Sequence, residues 1–427
     1  MTVLTEPRLR EKAAAAADNL AAHLAVPPPP QGEDDFSPGG PRWRDQSLSK
    51  GAAGVAILHG LRAQHGLSGN KPLHSWLARA TRGDLSAGAG AGLWFGAPAV
   101  AFALSIAAPG RYHRAMAGLD AAVAELTRTR LRAAHARIDA RQRPSLYEFD
   151  LTCGLAGLGA YWLHRDPGGD LVRQVLAYLV RLTEPVPADD AAGTGAPGWW
   201  TADVPSGPQD PAFTSGHANL GMAHGISGPL AQMATATRHD VTVDGQQDAM
   251  QAICRWLEDW KQNGSAGTWW PERITLAALK DGGPLQDGPA RPSWRYGTPG
   301  LARAQQLAAL ALVDTARQQA TEDALTHCLD DLVQMNRLTD PALCHGLAGV
   351  LATTWYAACE ATTSALAARV PALVSTLLEH AHDAPGALPG LVEGTAGIAL
   401  TLHTIATDTP ITFLVAPQWG ARPPELA

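Results

Sequence analysis

The sequence predicts an all-α protein, specifically an α/α toroid of seven inner and seven outer helices. Three observations lead to this fold class. Of the 427 residues 46% are apolar and only 6% aromatic, alanine and leucine dominate, and β-branched runs are rare. A Gly-x-x-Gly motif recurs along the chain, and each copy opens an apolar helical run. Amphipathic segments with one polar face alternate with these runs, which is typical of helices packed in two layers.

The repeat consists of seven segments, each with a variable pair of residues, then Gly-x-x-Gly, then an Ala/Leu-rich run; Ala99 replaces the second glycine once. Successive copies lie 45 to 72 residues apart, enough for two helices and two loops. Glycines three apart let two backbones approach closely. We therefore expect seven buried inner helices that all begin at one mouth of the toroid, with their N–H groups exposed there. The first glycines are Gly51, Gly96, Gly154, Gly225, Gly297, Gly346 and Gly394.

The outer helices are expected from amphipathic segments such as 171–182 and 372–381. An N-terminal helix and a Pro-rich linker are predicted over residues 1–40, and the toroid over 41–427. Two long connections, near 185–216 and 262–293, have little periodicity and contain several tryptophans. We interpret them as rims of a peptide-sized cleft; the alternative is that their tryptophans pack in the core.

Composition excludes several classes of function. The net charge of −7 is spread along the chain without a basic block, so nucleic acid is not an expected partner. No apolar run is long enough to span a bilayer, and the N-terminus lacks an apolar signal core, so a soluble cytoplasmic protein is expected. Five cysteines in a long chain argue against a disulfide framework. Three of them, Cys254, Cys328 and Cys359, are predicted to fill the core.

The residues just before each first glycine are expected to line the mouth. There, Cys344 and His345 suit a zinc site; the alternative is a buried thiol beside a hydrogen-bonded imidazole. His224 is a candidate general acid or base. Asp150 would orient it or take a proton. Arg291 is a candidate to stabilise an oxyanion. For each of these three residues a structural role is the alternative.

Three motifs, 219-NLGMAHGISG-228, 294-WRYGTPG-300 and 343-LCHGLAG-349, together resemble the lanthionine synthetase C-like family, and the resemblance extends over roughly residues 48–401. It implies an α/α toroid that adds a peptide cysteine thiol to a dehydroalanine or dehydrobutyrine, forming thioether rings in ribosomal peptides. It also implies zinc as the cofactor that activates the thiol. The implied partners are a dehydrated precursor peptide and other enzymes of the same pathway.

Carried over by position, the resemblance implies that Cys344 and His345 are zinc ligands. His224 and Asp150 are then the residues of proton transfer, and Arg291 and Tyr296 are neighbours of the reacting groups.

The family's third protein ligand is a cysteine in a Trp-Cys-Tyr-Gly motif, and this chain has Arg295 at that position. A guanidinium has five donors, no usable lone pair and a permanent charge, so it cannot ligate zinc. Two protein ligands fall below the three of a usual catalytic zinc site, and Cys153 is the only other thiol expected at the mouth. The sequence therefore predicts an atypical zinc site or none.

Three hypotheses about function remain at this point. The protein is a thioether cyclase in which Arg295 and helix dipoles replace zinc electrostatically, with lanthionine, methyllanthionine or aminovinyl-type rings as products. Alternatively it is a metal-free module that binds the precursor peptide or scaffolds partner enzymes. The third hypothesis is an α/α-barrel glycoside hydrolase, which requires paired carboxylates at the mouth. Asp150 and Glu393 are the only candidates for that pair.

Overall fold

The computed structural model describes residues 3–29, 44–187, 195–203, 213–265, 267–381 and 388–409. These residues form seventeen α-helices: α1 Pro7–His23, α2 Ala52–Gln64, α3 Lys71–Ala80, α4 Ala97–Ala107, α5 His113–Asp139, α6 Leu146–Phe149, α7 Leu155–Arg165, α8 Asp170–Arg181, α9 Ser227–Arg238, α10 Gln246–Asp259, α11 Leu276–Asp281, α12 Thr298–Leu312, α13 Thr315–Asp330, α14 Leu332–Met335, α15 Leu347–Glu360, α16 Val370–Ala381 and α17 Thr395–Thr407. None of the helices in the described ranges combines the length and apolar character needed to cross a membrane.

Seven of the helices follow the predicted first glycines. Six of them have that glycine as the N-cap, while α9 begins two residues after Gly225. Ile226, between them, already has helical dihedral angles, so the difference lies within the usual uncertainty of a helix boundary. These helices are buried on nearly every side, as predicted for the inner layer. They are α2, α4, α7, α9, α12, α15 and α17.

The glycines are needed because the loop before each inner helix folds back against the helix start. A Cβ added to Gly346 would lie 1.8 Å from the carbonyl oxygen of Asp340. The second glycines are equally constrained: a Cβ on Gly397 would lie 1.9 Å from the carbonyl oxygen of Leu391. No side chain fits at these distances, so each motif fixes the path of the chain that enters its helix.

The outer helices bury one face each. In α1 the buried residues Ala13, Ala17, Leu20 and Ala21 form a single stripe, as expected for a half-buried helix. The remaining six are α3, α5, α8, α10, α13 and α16. The boundary predicted at residue 40 stays a prediction, and the linker lies mostly outside the described residues.

Packing divides the chain into two units. In the first, Met1–Leu126 with Leu338–Val415, α4 packs on α2, α2 on α17, and α17 on α15, while α1 covers α16 and α17. In the second, Thr127–Arg337, α7 packs on α9 and α9 on α12, with α8, α10 and α13 outside them.

The two long connections contain short strands that the sequence did not indicate, since two or three residues show no period. They are β1 Val186–Pro187, β2 Gly195–Ala196, β3 His217–Asn219, β4 Gln262–Gly264, β5 Gly267–Trp269 and β6 Arg273–Thr275. Three antiparallel pairs result, β1–β2, β4–β5 and β3–β6. The β3–β6 ribbon joins the end of the first connection to the second.

The tryptophans of these connections pack inside the protein. Trp199, Trp200, Trp269 and Trp270 are all buried, and the indole N–H of Trp270 donates to the carbonyl of Leu257 at 2.9 Å. They anchor the two segments, as the packing interpretation held, and they do not line an open surface. The proposed cleft therefore has to be built from other side chains.

Two glycines inside helices test the close-approach argument. Ala is a better helix former than Gly by about 1 kcal/mol, so Gly118→Ala, with no atom within 4 Å of the added Cβ, is expected to stabilise the protein by about 0.5–1 kcal/mol. Gly397→Ala gains the same propensity but collides with Leu391, and is expected to destabilise it by about 1–3 kcal/mol. Urea denaturation measures both. Equal effects of the two substitutions would contradict the argument.

Candidate functional site

Backbone hydrogen bonds tie together the loops that precede neighbouring inner helices. In the second unit the N–H of Leu151 donates to the carbonyl of Ala223 at 3.1 Å, and the N–H of Met222 donates to that of Arg295 at 3.0 Å. In the first unit the corresponding bonds run from Leu48 to Trp94, from Leu391 to Leu48 and from Cys344 to Val392, at 2.9 to 3.0 Å. Within each unit, the variable pairs before the glycines are therefore held in fixed register.

In the second unit this register brings Asp150 and His224 together. The Nδ1 of His224 lies 2.7 Å from Oδ2 of Asp150. The carboxylate is fully buried, whereas 19% of the imidazole is exposed. One nitrogen of the ring is thus held inside the protein, and the ring still reaches the surface.

The surroundings of Asp150 favour an orienting role over uptake of a proton. Its Oδ1 accepts the N–H groups of Thr152, Cys153 and Gly154 at 3.0, 2.7 and 2.7 Å, which also anchors the start of α7. Its Oδ2 accepts the hydroxyl of Thr152 at 3.0 Å in addition to His224. With five donors on two oxygens, the carboxylate is used as an acceptor throughout.

Arg295 lies on the other nitrogen of the same imidazole. Its Nη2 is 2.7 Å from Nε2 of His224. A guanidinium only donates, so Nε2 must accept with its lone pair, and the proton of the neutral ring is on Nδ1 and donates to Asp150. Arg295, at the position where the resemblance implies a cysteine, is therefore a direct partner of the candidate acid or base.

Tyr296 follows Arg295 and is partly buried. Its hydroxyl accepts the side-chain amide of Asn219 at 3.1 Å. The guanidinium carbons of Arg295 and Arg273 lie 5.7 and 5.4 Å from the centre of its ring, within cation–π range. Because Asn219 donates to the phenol oxygen, the phenol O–H can donate to another group.

Cys153 is a protonated thiol in this setting. Burial first, and then the charge of Asp150, raise its pKa to about 11, although Thr152 and Arg130 act in the opposite direction. The guanidinium of Arg130 donates to the backbone carbonyl of Cys153. Cys153 as a substitute zinc ligand stays a prediction.

Arg291 is exposed, and its side chain forms no hydrogen bond or ion pair with any residue that the structure describes. Its backbone carbonyl lies against Gly297, where φ is +92°. The guanidinium is thus available to an external ligand, and its place beside reacting groups stays a prediction.

In the first unit, Cys344 is buried and His345 is half-buried, both just before the N-cap Gly346 of α15. The neighbouring loops carry Glu393, which accepts the hydroxyl of Ser49 at 2.9 Å and forms an ion pair with Lys50 at 3.0 Å. The glycine motif predicts that these five residues precede helix starts. It does not predict the contacts of Glu393 with Ser49 and Lys50.

The side chains present do not fit a three-ligand zinc centre. Within the described ranges, no group of three or more His, Cys, Asp or Glu side chains is arranged to hold a metal ion. Where the resemblance implies the third ligand, Arg295 offers no lone pair, and it is engaged with His224. Cys344 and His345 as zinc ligands stay a prediction.

Some partners of the site were not singled out from the sequence. Asn219 begins the motif 219-NLGMAHGISG-228, and its position is a signal that could have indicated it, since a polar residue before a buried helix start has to find a partner. Arg130 and Arg273 lie in α5 and β6, far in sequence from any glycine motif, and no local pattern marks them.

The protonation state of His224 can be measured directly. We expect ¹⁵N NMR of the imidazole to show the tautomer with the proton on Nδ1 at neutral pH, since Asp150 accepts from one nitrogen and Arg295 donates to the other. In Arg295→Met the Nε2 signal should move towards that of a nitrogen without a donor. A proton on Nε2 in the unmodified protein would contradict the arrangement.

Comparison with known proteins agrees with the fold and with the motifs. The chain has 18% sequence identity to a solved structure named nisin cyclase, with a TM-score of 0.70, and the match covers 96% of each chain. This likeness confirms the predicted α/α toroid fold class. No curated protein matches the chain. Residues 42–416 match the model of the family described as lanthionine synthetase C-like protein, so the chain belongs to the lanthionine synthetase C-like family.

Proposed function

We propose that this protein forms thioether rings in a dehydrated precursor peptide, without a conventional zinc site. The observation that carries the proposal is the imidazole of His224, held by buried Asp150 on one nitrogen and by Arg295 on the other. Family membership and the likeness to a cyclase support the type of reaction. We also propose that the protein is located in the cytoplasm.

The reaction joins a peptide thiol to the β-carbon of dehydroalanine or dehydrobutyrine. The thiol loses its proton, the sulfur forms the new C–S bond, and the electron pair of the C=C bond moves to the α-carbon, which takes up a proton. Nε2 of His224 accepts the first proton and returns it in the second step, so the ring ends in its starting state. Asp150 keeps the imidazole oriented and stabilises its charged form.

Arg295 has two roles in this scheme. Because it donates to Nε2 in the free protein, it must turn away before His224 can accept a proton. Its charge then remains beside the imidazole, and a cation within about 4 to 6 Å lowers the pKa of a thiol by about one to three units, by analogy with charge pairs. An enethiol is more acidic than a cysteine thiol, so aminovinyl-type rings are the product class that this activation suits best.

The two other family positions act on the developing enolate. Arg291 has an exposed guanidinium with no partner among the described residues, and the O–H of Tyr296 is left to donate because Asn219 occupies an acceptor site of its oxygen. Either donor can stabilise the oxyanion that forms next to the α-carbon.

A second candidate function is a metal-free module that binds the precursor peptide or scaffolds partner enzymes. The same contact favours it, since Nε2 of His224 is occupied by Arg295 in the free protein. In that case Arg295 pairs with an acidic leader residue or a terminal carboxylate of the peptide. The glycoside hydrolase hypothesis has no support, since both of its candidate carboxylates are engaged.

A cyclisation assay separates the two candidates. A dehydrated, Cys-containing precursor is incubated with the protein and then treated with a thiol-alkylating reagent, and mass spectrometry counts the free thiols. We expect fewer alkylated thiols with the protein than without it. His224→Ala should slow the loss of thiols by about 10²–10⁴-fold, the usual contribution of a general acid or base.

His113→Ala is the matched control, because His113 is exposed at the start of α5. It should react as the unmodified protein does. Equal alkylation with and without the protein, together with retained binding of the precursor, would establish the binding module instead.

A further inference from the structure

The β3–β6 ribbon presents one polar face that the proposed reaction does not use. In its antiparallel register His217 pairs with Thr275, and Asn219 pairs with Arg273. Alternate residues of a strand point to the same side, so these four side chains share one face of the ribbon. Asn219 on this face donates to Tyr296, which places the face next to the candidate site.

His217 is buried, and its ring has no polar partner among the described residues. It is 0% exposed, and neither ring nitrogen has a hydrogen-bond partner in that part of the chain. Burial first, and then the charge of Arg273, lower its pKa to about 4, so the ring is neutral and offers one N–H donor and one acceptor. Buried polar groups are nearly always hydrogen-bonded in proteins, and leaving one unpaired is destabilising.

Arg273 is the one member of the face that reaches solvent, and 22% of its side chain is exposed. Its guanidinium carbon lies 5.9 Å from the ring centre of Phe213 and 5.4 Å from that of Tyr296. Within the ranges that the structure describes, its buried Nε has no partner, and the one carboxylate near it is that of the adjacent Glu272, at a long 3.5 Å from Nη1. Two aromatic rings thus hold a cation whose donors are largely unused.

His217 and Arg273 both contact the ring of Phe213. Phe213 meets the ring of His217 edge-on, with centroids 5.2 Å apart and an interplanar angle of 73°. Arg273 lies over that Phe213 ring as well. Both side chains therefore contact one aromatic ring, and they are close enough for the charge of Arg273 to lower the pKa of His217.

We propose that His217 and Arg273 form a carboxylate-binding site on this face of the ribbon, adjacent to Tyr296. A carboxylate accepts two N–H donors at once and matches the planar fork of a guanidinium, whereas a neutral amide supplies one weaker acceptor. The carboxylate belongs to the peptide substrate, as an acidic side chain or a C-terminus; that identification rests on the proposed function, while the site itself does not. It would select peptides with an acid near the reacting thiol.

The test uses two small probes and the whole protein labelled with ¹⁵N-histidine. N-acetylglycine carries a carboxylate, and N-acetylglycinamide is its uncharged counterpart. The His217 signals are identified by their loss in His217→Gln. We expect N-acetylglycine to shift the ring signals of His217 saturably, and the amide to bind at least tenfold more weakly.

Arg273→Gln should raise the Kd for N-acetylglycine at least tenfold, and Arg273→Lys, which keeps the charge but not the fork, should raise it less. Arg255→Gln, which removes the same charge from an exposed position of α10, should leave it unchanged. Circular dichroism confirms that each variant is folded. If one variant does not fold, the comparison of the two probes on the unmodified protein still decides.

Equal binding of both probes, or no change in the His217 signals up to high concentration, would overturn the inference and leave a buried water as the partner of His217. The result is independent of cyclisation. If the protein binds N-acetylglycine as expected but does not cyclise the precursor, the carboxylate site stands and only its assignment to a peptide substrate is wrong. If cyclisation succeeds without carboxylate binding, the site is wrong and the proposed function stands.

Discussion

The close approach between each glycine and the carbonyl of its own entering loop underlies the rest of the structure. The loop carbonyl lies where a Cβ would otherwise be, as at Gly346 and Gly397. With their paths fixed, neighbouring loops within each unit exchange backbone hydrogen bonds, which set the register of the residues ahead of the glycines. The contact between Asp150 and His224 follows from this register, although 74 residues separate them.

Much of the fold could be predicted from the sequence because the glycine motif is repeated and its spacing leaves room for two helices. All seven inner helices lie where the motif placed them, and amphipathic segments gave outer helices such as α8 and α16. The short strands could not be predicted in this way. The β3–β6 ribbon is defined by pairing between His217–Asn219 and Arg273–Thr275, and three residues carry no periodic signal.

The residues ahead of the glycines could be singled out from the sequence, but their contacts could not. Position before a glycine singled out His224, Arg295 and Cys344, and Asp150 stood out by its distance from Gly154; their roles stay predictions. The hydrogen bond from Arg295 to His224 could not be predicted from the sequence. The chemistry of a guanidinium excludes it as a zinc ligand but does not determine the direction of a long side chain. The pairing of Ser49 with Glu393 depends likewise on tertiary register.

We propose that Arg295 stands in place of a metal ligand and supplies a positive charge beside His224. The zinc content of the purified protein, measured by elemental mass spectrometry beside that of Arg295→Cys, tests this proposal. We expect far less than one zinc per chain in the unmodified protein and a gain of zinc in the variant. One tightly held zinc per unmodified chain would contradict it.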